Sequence, residues 1–396
     1  GVHGDPRADV RRTESGCRSG SGPVSELAQF GIVGTSRKEG EHRIPIHPAH
    51  FDRIPGGVAR RLVFERDYGA RFGIPDSELR RRFGGVAERD VLLGECDGVL
   101  LVKPVVEDLN EMREGGILWG WPHCVQQQEM TDAAVSRRQT LLAFEAMYLW
   151  SDGSRGMHLL YRNNELAGYC AVLHALSLQG ETGHFGRSLR ATVISFGSVS
   201  RGAIRALQGL GLHNFEVYTL RPPWTVGDRT EGGLFGRMVR DSEAGVQVVE
   251  PDGTRRELVE ALADADVIVN GILQDTDDPI MYMQPGDEAH LRAGSLIVDV
   301  SCDIGMGFPF ARPTSFAEPT FQIGPAVYYG VDHTPSWLWR SASWEVSEVV
   351  VAYLGRVLNG PDSWAEDATL RRAIEIQDGE ILNPKIISFR SRRDRG

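Results

Sequence analysis

The chain has no apolar run approaching the ~18–20 residues that a membrane span needs. It has few cysteines. The five (Cys17, Cys96, Cys124, Cys170, Cys302) are odd in number, scattered, and never spaced as C-x-x-C. That excludes a disulfide framework and a zinc ribbon, and it leads us to expect a reducing cytoplasm. A basic excess is also missing: 43 Lys and Arg stand against 54 Asp and Glu, a net charge of −11. A diffuse acidic balance argues against nucleic acid or an anionic membrane as partner. It leaves room for a local basic pocket. No spacing suggests a metal; Asp275, Asp277 and Asp278 read as solvated loop acids.

What is present is globular: 396 residues, 41% hydrophobic and 24% charged, enough for two domains. Residues 1–24 are rich in Gly, Arg, Ser and Asp and lack the apolar core of a secretory signal. We read residues 1–27 as a disordered extension, with order beginning near Phe30. Strand-like pieces (Arg61–Arg66, Gly98–Val102, Gly116–Trp119) then alternate with helical ones (Asp76–Phe83, Gln126–Arg138). Such alternation marks an α/β layer fold. A second α/β run follows Tyr161, with a helix at Asn163–Gln179 and strands at Arg190–Gly197, Phe215–Thr219, Asp266–Asn270 and Ser295–Val300. The last strong helix is Trp344–Leu358, stopped by Gly360. The Arg-rich end, Phe389–Arg395, reads as frayed.

The sharpest local signal is Phe196-Gly197-Ser198-Val199-Ser200-Arg201-Gly202, between a strand and a helix. Gly197 suits a tight turn, and Gly202 suits close packing of helix on strand. The helix N-terminus offers N–H groups to a pyrophosphate. Val199 replaces the middle glycine of G-x-G-x-x-G. In an NAD site an acid about 20 residues on binds the ribose hydroxyls. Here that strand end is Tyr218-Thr219-Leu220-Arg221-Pro222-Pro223, without an acid. A hydroxyl at Thr219 and a guanidinium at Arg221 suit a 2′-phosphate, so we expect NADP(H).

Several motifs together resemble the alanine dehydrogenase and transhydrogenase superfamily, which includes lysine-forming saccharopine dehydrogenase. They are Ser36-Arg37-Lys38-Glu39 with Arg43 and Pro48; Leu101-Val102-Lys103-Pro104; Gly120-Trp121-Pro122-His123; Val298 to Asp303; Arg312-Pro313-Thr314; and Glu318 to Phe321. Arg162 to Cys170, Phe196 to Ala203, Tyr218 to Pro222 and Val331 to Ser336 are most similar to its N5-(carboxyethyl)ornithine synthase branch. The resemblance spans roughly residues 30–390. It implies two Rossmann-like α/β domains with a cleft between them. The catalytic domain is then discontinuous, 28–161 plus 336–396, and the dinucleotide domain, 162–335, is inserted.

The resemblance implies NADPH-dependent condensation of a pyruvate-like 2-keto acid with an amino group of ornithine, lysine or a related amino acid. Reductive amination needs a carboxylate clamp, proton transfer through carbinolamine and imine, and a hydride. Arg43 carries a bidentate fork suited to a carboxylate. Lys103 ends an apolar strand, where desolvation lowers an amine's pKa. His123 titrates near neutrality. By resemblance Arg43 matches a substrate-binding arginine, Lys103 and His123 the acid–base pair, and Asp303 an aspartate near the nicotinamide. Asp299 or Asp303 equally suits a helix cap. Cys124 reads as a small buried residue. His333 is placed near the domain junction. Asp332, where alanine dehydrogenases carry Asn, bears on binding a second amine. Reductive amination with ammonia and an inactive NADP-binding scaffold are the alternatives. We expect a homo-oligomer.

Overall fold

In the computed structural model, residues 27–222, 232–241 and 245–393 are described. The expected N-terminal extension falls, up to residue 26, outside them, as does Pro223. Leu27 is fully buried and its N–H donates to Leu358 O at 3.0 Å. Order therefore begins earlier than Phe30, and residue 27 does not belong to an extension.

The first sheet is built from β1 (Phe30–Ile32), β2 (Leu62–Glu65), β3 (Gly85–Ala87), β4 (Gly98–Leu101), β5 (Ile117–Gly120) and β6 (Thr140–Ala143). These strands are parallel, in the order β3-β2-β1-β4-β5-β6. They read as nearly continuous apolar runs because helices cover both faces. A hairpin, β7 (Tyr148–Ser151) and β8 (Ser154–His158), follows.

The second sheet repeats the winding. Its parallel strands are β9 (Arg190–Ile194), β10 (Asn214–Thr219), β11 (Gly233–Asp241), β14 (Val267–Asn270), β15 (Leu296–Asp299) and β17 (Ala326–Tyr329). They lie in the order β11-β10-β9-β14-β15-β17. Antiparallel strands β12 (Gly245–Val249) and β13 (Arg255–Glu257) extend one edge, and β16 (Thr320–Ile323) the other. In such sheets ligands bind beyond the carboxyl ends of the strands, where the order reverses. The two reversals fall between β1 and β4 and between β9 and β14.

Two long helices connect the sheets. The entry helix, Tyr161–Gln179, ends at Gly180 in the left-handed region (φ 70°). The return helix, Trp339–Leu358, buries Val346, Val350, Leu354, Val357 and Leu358 on the first sheet. It starts five residues before the expected Trp344. The chain then rejoins the first sheet through β18 (Ile374–Gln377), antiparallel to β6, and β19 (Glu380–Ile381).

The C-terminal segment corrects a second expectation. Pro384–Arg393 is helical, not frayed, and Ile386 is fully buried. Arg390 pairs with Asp132 at 2.6 Å, Lys385 with Asp275 at 2.9 Å and Arg392 with Asp277 at 3.0 Å. The loop acids are exposed, as expected, and are in addition ion-paired, so this helix ties the first sheet's unit to the loop after β14. Among the described residues no helix is long and apolar enough to cross a membrane.

Candidate active site

The reversal in the first sheet gathers three segments: the loop after β1, Lys103 after β4, and His123 after β5. Ser36 Oγ accepts from Lys38 N–H at 3.1 Å and donates to Lys103 O at 2.8 Å, fixing the first loop on the second. Lys103 Nζ and His123 Nε2 are 2.9 Å apart. His123 sits at φ 49°, a left-handed conformation that is uncommon for a non-glycine and clusters at functional sites. Its N–H donates to Glu145 Oε1 at 2.7 Å.

Arg43 lies beside this pair, but its fork is not empty. Glu41 takes Nε at 2.9 Å and Nη2 at 2.6 Å, and Asn163 Oδ1 takes Nη1 at 3.0 Å. The guanidinium also lies 5.0 Å from the Trp121 ring. A guanidinium has five N–H donors; Nη1 and Nη2 each carry one that these bonds do not use. One edge of the Arg43 guanidinium is thus fixed by Glu41.

Charge is concentrated here. Burial, helped by Arg43 and Lys38, holds the Lys103 amine below its ordinary value against the pull of Asp332. Burial and the Lys103 ammonium hold His123 well below its own. Burial works against the Asp332 carboxylate, yet the His333 hydrogen bond and the charges of Lys103 and Lys38 keep it far below the usual carboxylate range. Lys38 pairs with Asp332 at 3.0 Å. His333 meets Asp332 Oδ1 at 2.7 Å and Glu39 O at 2.6 Å, so its ring clips the 331–336 segment to the loop after β1.

The end of β15 and the loop after it carry Asp299 and Asp303. Asp303 is pushed up to about 7 by burial and by Asp299. No hydrogen bond joins it to Lys103 or His123 among the described residues. Asp299 is fully buried and accepts from Asn270 at 2.8 Å, Cys302 N–H at 2.9 Å and Tyr328 at 3.0 Å. It is a structural anchor for the loop. Cys124 is buried and its thiol is pushed well up by burial.

The second reversal carries the glycine loop. Gly197 caps the helix Ser198–Gly209. Its backbone is extended (φ −83°), and the sharp turn is made by Ser195 at φ 83°. A Cβ added at Gly197 would meet only Ser195 Oγ, at 3.7 Å. Gly197 thus leaves open space instead of making the turn. Gly202 also differs from expectation: an added Cβ would lie 1.8 Å from Glu165 O of the entry helix, and one on Gly168 would lie 1.9 Å from Val199 O. These glycines let two helix backbones touch, a helix–helix contact and not a helix–strand one. The Ser200 side chain is spent on Ile194 O at 3.2 Å, under the turn. Val199 stands beside Gly271 at the end of β14, where an added Cβ would lie 3.1 Å from Val199 Cγ1.

Two guanidinium groups flank the loop. Arg201 lies 4.1 Å over the Phe196 ring, and Arg221 Nη2 donates to Phe196 O at 3.4 Å. Thr219 Oγ1 accepts the Arg221 N–H at 3.3 Å. A helix N-terminus at a strand-order reversal, an open glycine and flanking cations fit a pyridine dinucleotide.

A doubly wound dinucleotide unit together with a lysine–histidine pair at a strand-order reversal defines a pyridine-nucleotide-dependent oxidoreductase. The chain belongs to the alanine dehydrogenase/PNT family: the N-terminal domain of that family matches residues 32–167 and its C-terminal domain residues 190–384. An alanine dehydrogenase of Mycolicibacterium smegmatis is 23% identical over 374 residues, 89% of this chain and 95% of that protein. An N(5)-(carboxyethyl)ornithine synthase of Clostridium botulinum is 23% identical over 320 residues, 78% of this chain and 88% of that one. The fold is that of a solved L-alanine dehydrogenase, with a TM-score of 0.70 at 20% identity over 92% of this chain and 99% of that one. It is also that of a transhydrogenase from Sinorhizobium meliloti, at 0.64 and 18% over 89% and 99%.

Lys38, Glu41, Glu145 and Asn163 were not singled out as site residues. Glu41 had a signal, since an acid two residues before a clamp arginine can fork it. Glu145 had none, because only the fold brings the end of β6 to His123.

Proposed function

We propose that the protein is an NADPH-dependent opine-type dehydrogenase that joins a pyruvate-like 2-keto acid to an amino group of ornithine, lysine or a related amino acid. The observation that carries this is the Lys103–His123 contact of 2.9 Å at the strand-order reversal, beside the half-used fork of Arg43. The unused N–H groups of Arg43 hold the keto acid's carboxylate. Lys103 Nζ donates a proton to the keto oxygen as the amine adds, and again as water leaves. His123 Nε2 receives the proton released by the amine and returns it to Lys103. Gly197–Gly202, Thr219 and Arg221 would hold a nicotinamide dinucleotide, which would supply the hydride. The Arg201 and Arg221 guanidiniums favour the 2′-phosphorylated form. Asp303 faces the substrate from the loop after β15. The units are 28–161 with 336–396 and 162–335, a division supported by which strands join which sheet.

A zwitterionic second substrate is favoured over ammonia by a cavity of about 420 Å³ between the loop after β1 and the end of β2. It borders the site through Lys38 and Glu41, does not include Lys103 or His123, and is lined by both signs, Arg66, Arg71, Glu39 and Asp67 among them. Its size suits a small ligand. The test is NADPH oxidation with pyruvate or 2-oxoglutarate against ornithine, lysine, other amino acids and ammonia. A diamino acid should give the highest kcat/KM. Ammonia matching or exceeding it would make this an ammonia-dependent enzyme.

A further inference from the structure

The cavity between the loop after β1 and the end of β2 is lined by four cationic side chains, Arg37, Lys38, Arg66 and Arg71. Three of them are spent. Arg37 pairs with Asp108 at 2.9 Å and with Glu111 at 2.7 Å, Lys38 with Asp332 at 3.0 Å, and Arg66 with Glu88 at 2.5 Å. Arg71 pairs with no carboxylate among the described residues. The acids of the cavity divide in the same way. Glu41 is taken by Arg43, and Glu65 accepts from the N–H groups of Gly34 and Thr35. The carboxylates of Glu39 and Asp67 have no hydrogen-bond partner among the described residues. One cation and two carboxylates are thus left over in one cavity, the complement of a carboxylate and an ammonium.

Arg71 is held in place without being neutralised. Its Nη2 donates to His42 O at 2.8 Å, and its guanidinium lies 4.1 Å over the ring of Trp339, the first residue of the return helix. His42 stands between Glu41 and Arg43, so Arg71 is tethered to the segment that carries Arg43. A guanidinium has five N–H donors; this tether uses one, and a carboxylate can take two of the others in parallel. Arg340 brings a second positive charge to the same place. Its guanidinium lies 5.1 Å from the Trp339 ring, and its Nη2 donates to Arg71 O at 3.1 Å. Burial and the Arg340 charge hold the Arg71 guanidinium below its ordinary value, and no acid offsets them. Like charges gathered without a counterion attract an anion.

We propose that Arg71 determines specificity for the amino donor by holding its carboxylate, with Glu39 and Asp67 available to an ammonium beside it. The inference rests on the condensation reading above and deepens it. It makes the second substrate an amino acid by recognition, and it makes a diamine of the same chain length, which lacks the carboxylate, a poor donor.

The test compares each amino acid with its decarboxylated counterpart, ornithine with 1,4-diaminobutane and lysine with 1,5-diaminopentane, as donors to pyruvate with NADPH. The unmodified protein should favour the better amino acid over its diamine by at least about tenfold in kcat/KM, the worth of one charge-assisted contact. In Arg71→Gln that preference should collapse toward one through a raised amino-acid KM, with the KM values for keto acid and NADPH unchanged. Arg71→Lys should recover part of it, since an ammonium keeps the charge without the fork. Calorimetric titration of the amino acid into the protein saturated with NADP should show the same weakening in Arg71→Gln, independently of turnover. No preference in the unmodified protein, or a preference that persists in Arg71→Gln, overturns the proposal. So does an equal fall in kcat/KM for amino acid and diamine, which would make Arg71 a structural residue. Ammonia outperforming every amino acid in the unmodified protein overturns the condensation reading and the proposal with it, whereas amino-acid-dependent turnover indifferent to Arg71 overturns the assignment of Arg71 alone.

Discussion

Lys103→Met isolates the coupling at the centre of the site. The substitution removes a positive charge 2.9 Å from His123 Nε2 while keeping an unbranched side chain of similar length. At an effective dielectric constant of ~20, a unit charge at that distance is worth about 6 kcal/mol. The histidine side chain keeps 33% of its surface open, so solvent screens much of this. Taking about a quarter gives ~1.4 kcal/mol, or about one pH unit. The sign follows from the charge: the ammonium disfavours the imidazolium, so removing it raises the His123 pKa. The ring then protonates at higher pH, and activity limited by its free base is lost earlier as pH falls. Turnover should also drop by about 10²-fold or more, since a positioned acid–base group contributes that much. The assay is an NMR titration of isotopically labelled histidine, assigned with His123→Gln, alongside initial rates across pH. A His123 pKa that falls or stays put in Lys103→Met would refute the coupling.

Other outcomes follow from the same geometry. Arg43→Lys should raise the keto-acid KM strongly with NADPH affinity unchanged, because an ammonium cannot hold Glu41, Asn163 and a substrate carboxylate in one plane; steady-state kinetics in both substrates decide it. NADPH should exceed NADH by at least about tenfold in kcat/KM, the worth of one charge-assisted contact. Arg221→Ala should weaken NADPH alone, and equal use of NADH by the unmodified protein would remove Arg221 from the site. Gly202→Ala forces a methyl against Glu165 O at 1.8 Å and should cost about 1–3 kcal/mol or more, read as a melting temperature lowered by several degrees; an unchanged melting temperature would mean that the two helices separate freely.

The parallel strands and long helices were legible because their apolar runs and helical periodicity are local properties. The nucleotide loop was legible because strand, glycine and helix are contiguous in sequence. What was missed is non-local. The edge strands β12, β13 and β16 are short, and their partners decide them more than their own residues do. Ser195 took the left-handed turn that Gly197 seemed made for, because the glycine was needed where the backbone must leave space. Gly202 was correctly seen as a close-packing residue, yet its partner, Glu165, lies 37 positions upstream on another helix. Lys103 and His123 meet at 2.9 Å although 20 residues apart in sequence. Glu41 and Asn163, which hold Arg43, are visible only in three dimensions.

The C-terminal helix has a mechanical consequence. The polypeptide passes between its two halves twice as covalent chain, through the entry and return helices; apart from the contacts at the site, such as Lys38–Asp332 and His333–Glu39, the halves are also joined where Lys385 and Arg392 grip Asp275 and Asp277. This C-terminal tie is made of exposed charges, and salt screens such pairs while leaving the covalent links untouched. Rising ionic strength therefore releases a brake on how far the halves swing apart. Crystals grown from concentrated salt and from polymer are expected to trap different openings of the same molecule. A tag fused after Gly396 would load the brake itself.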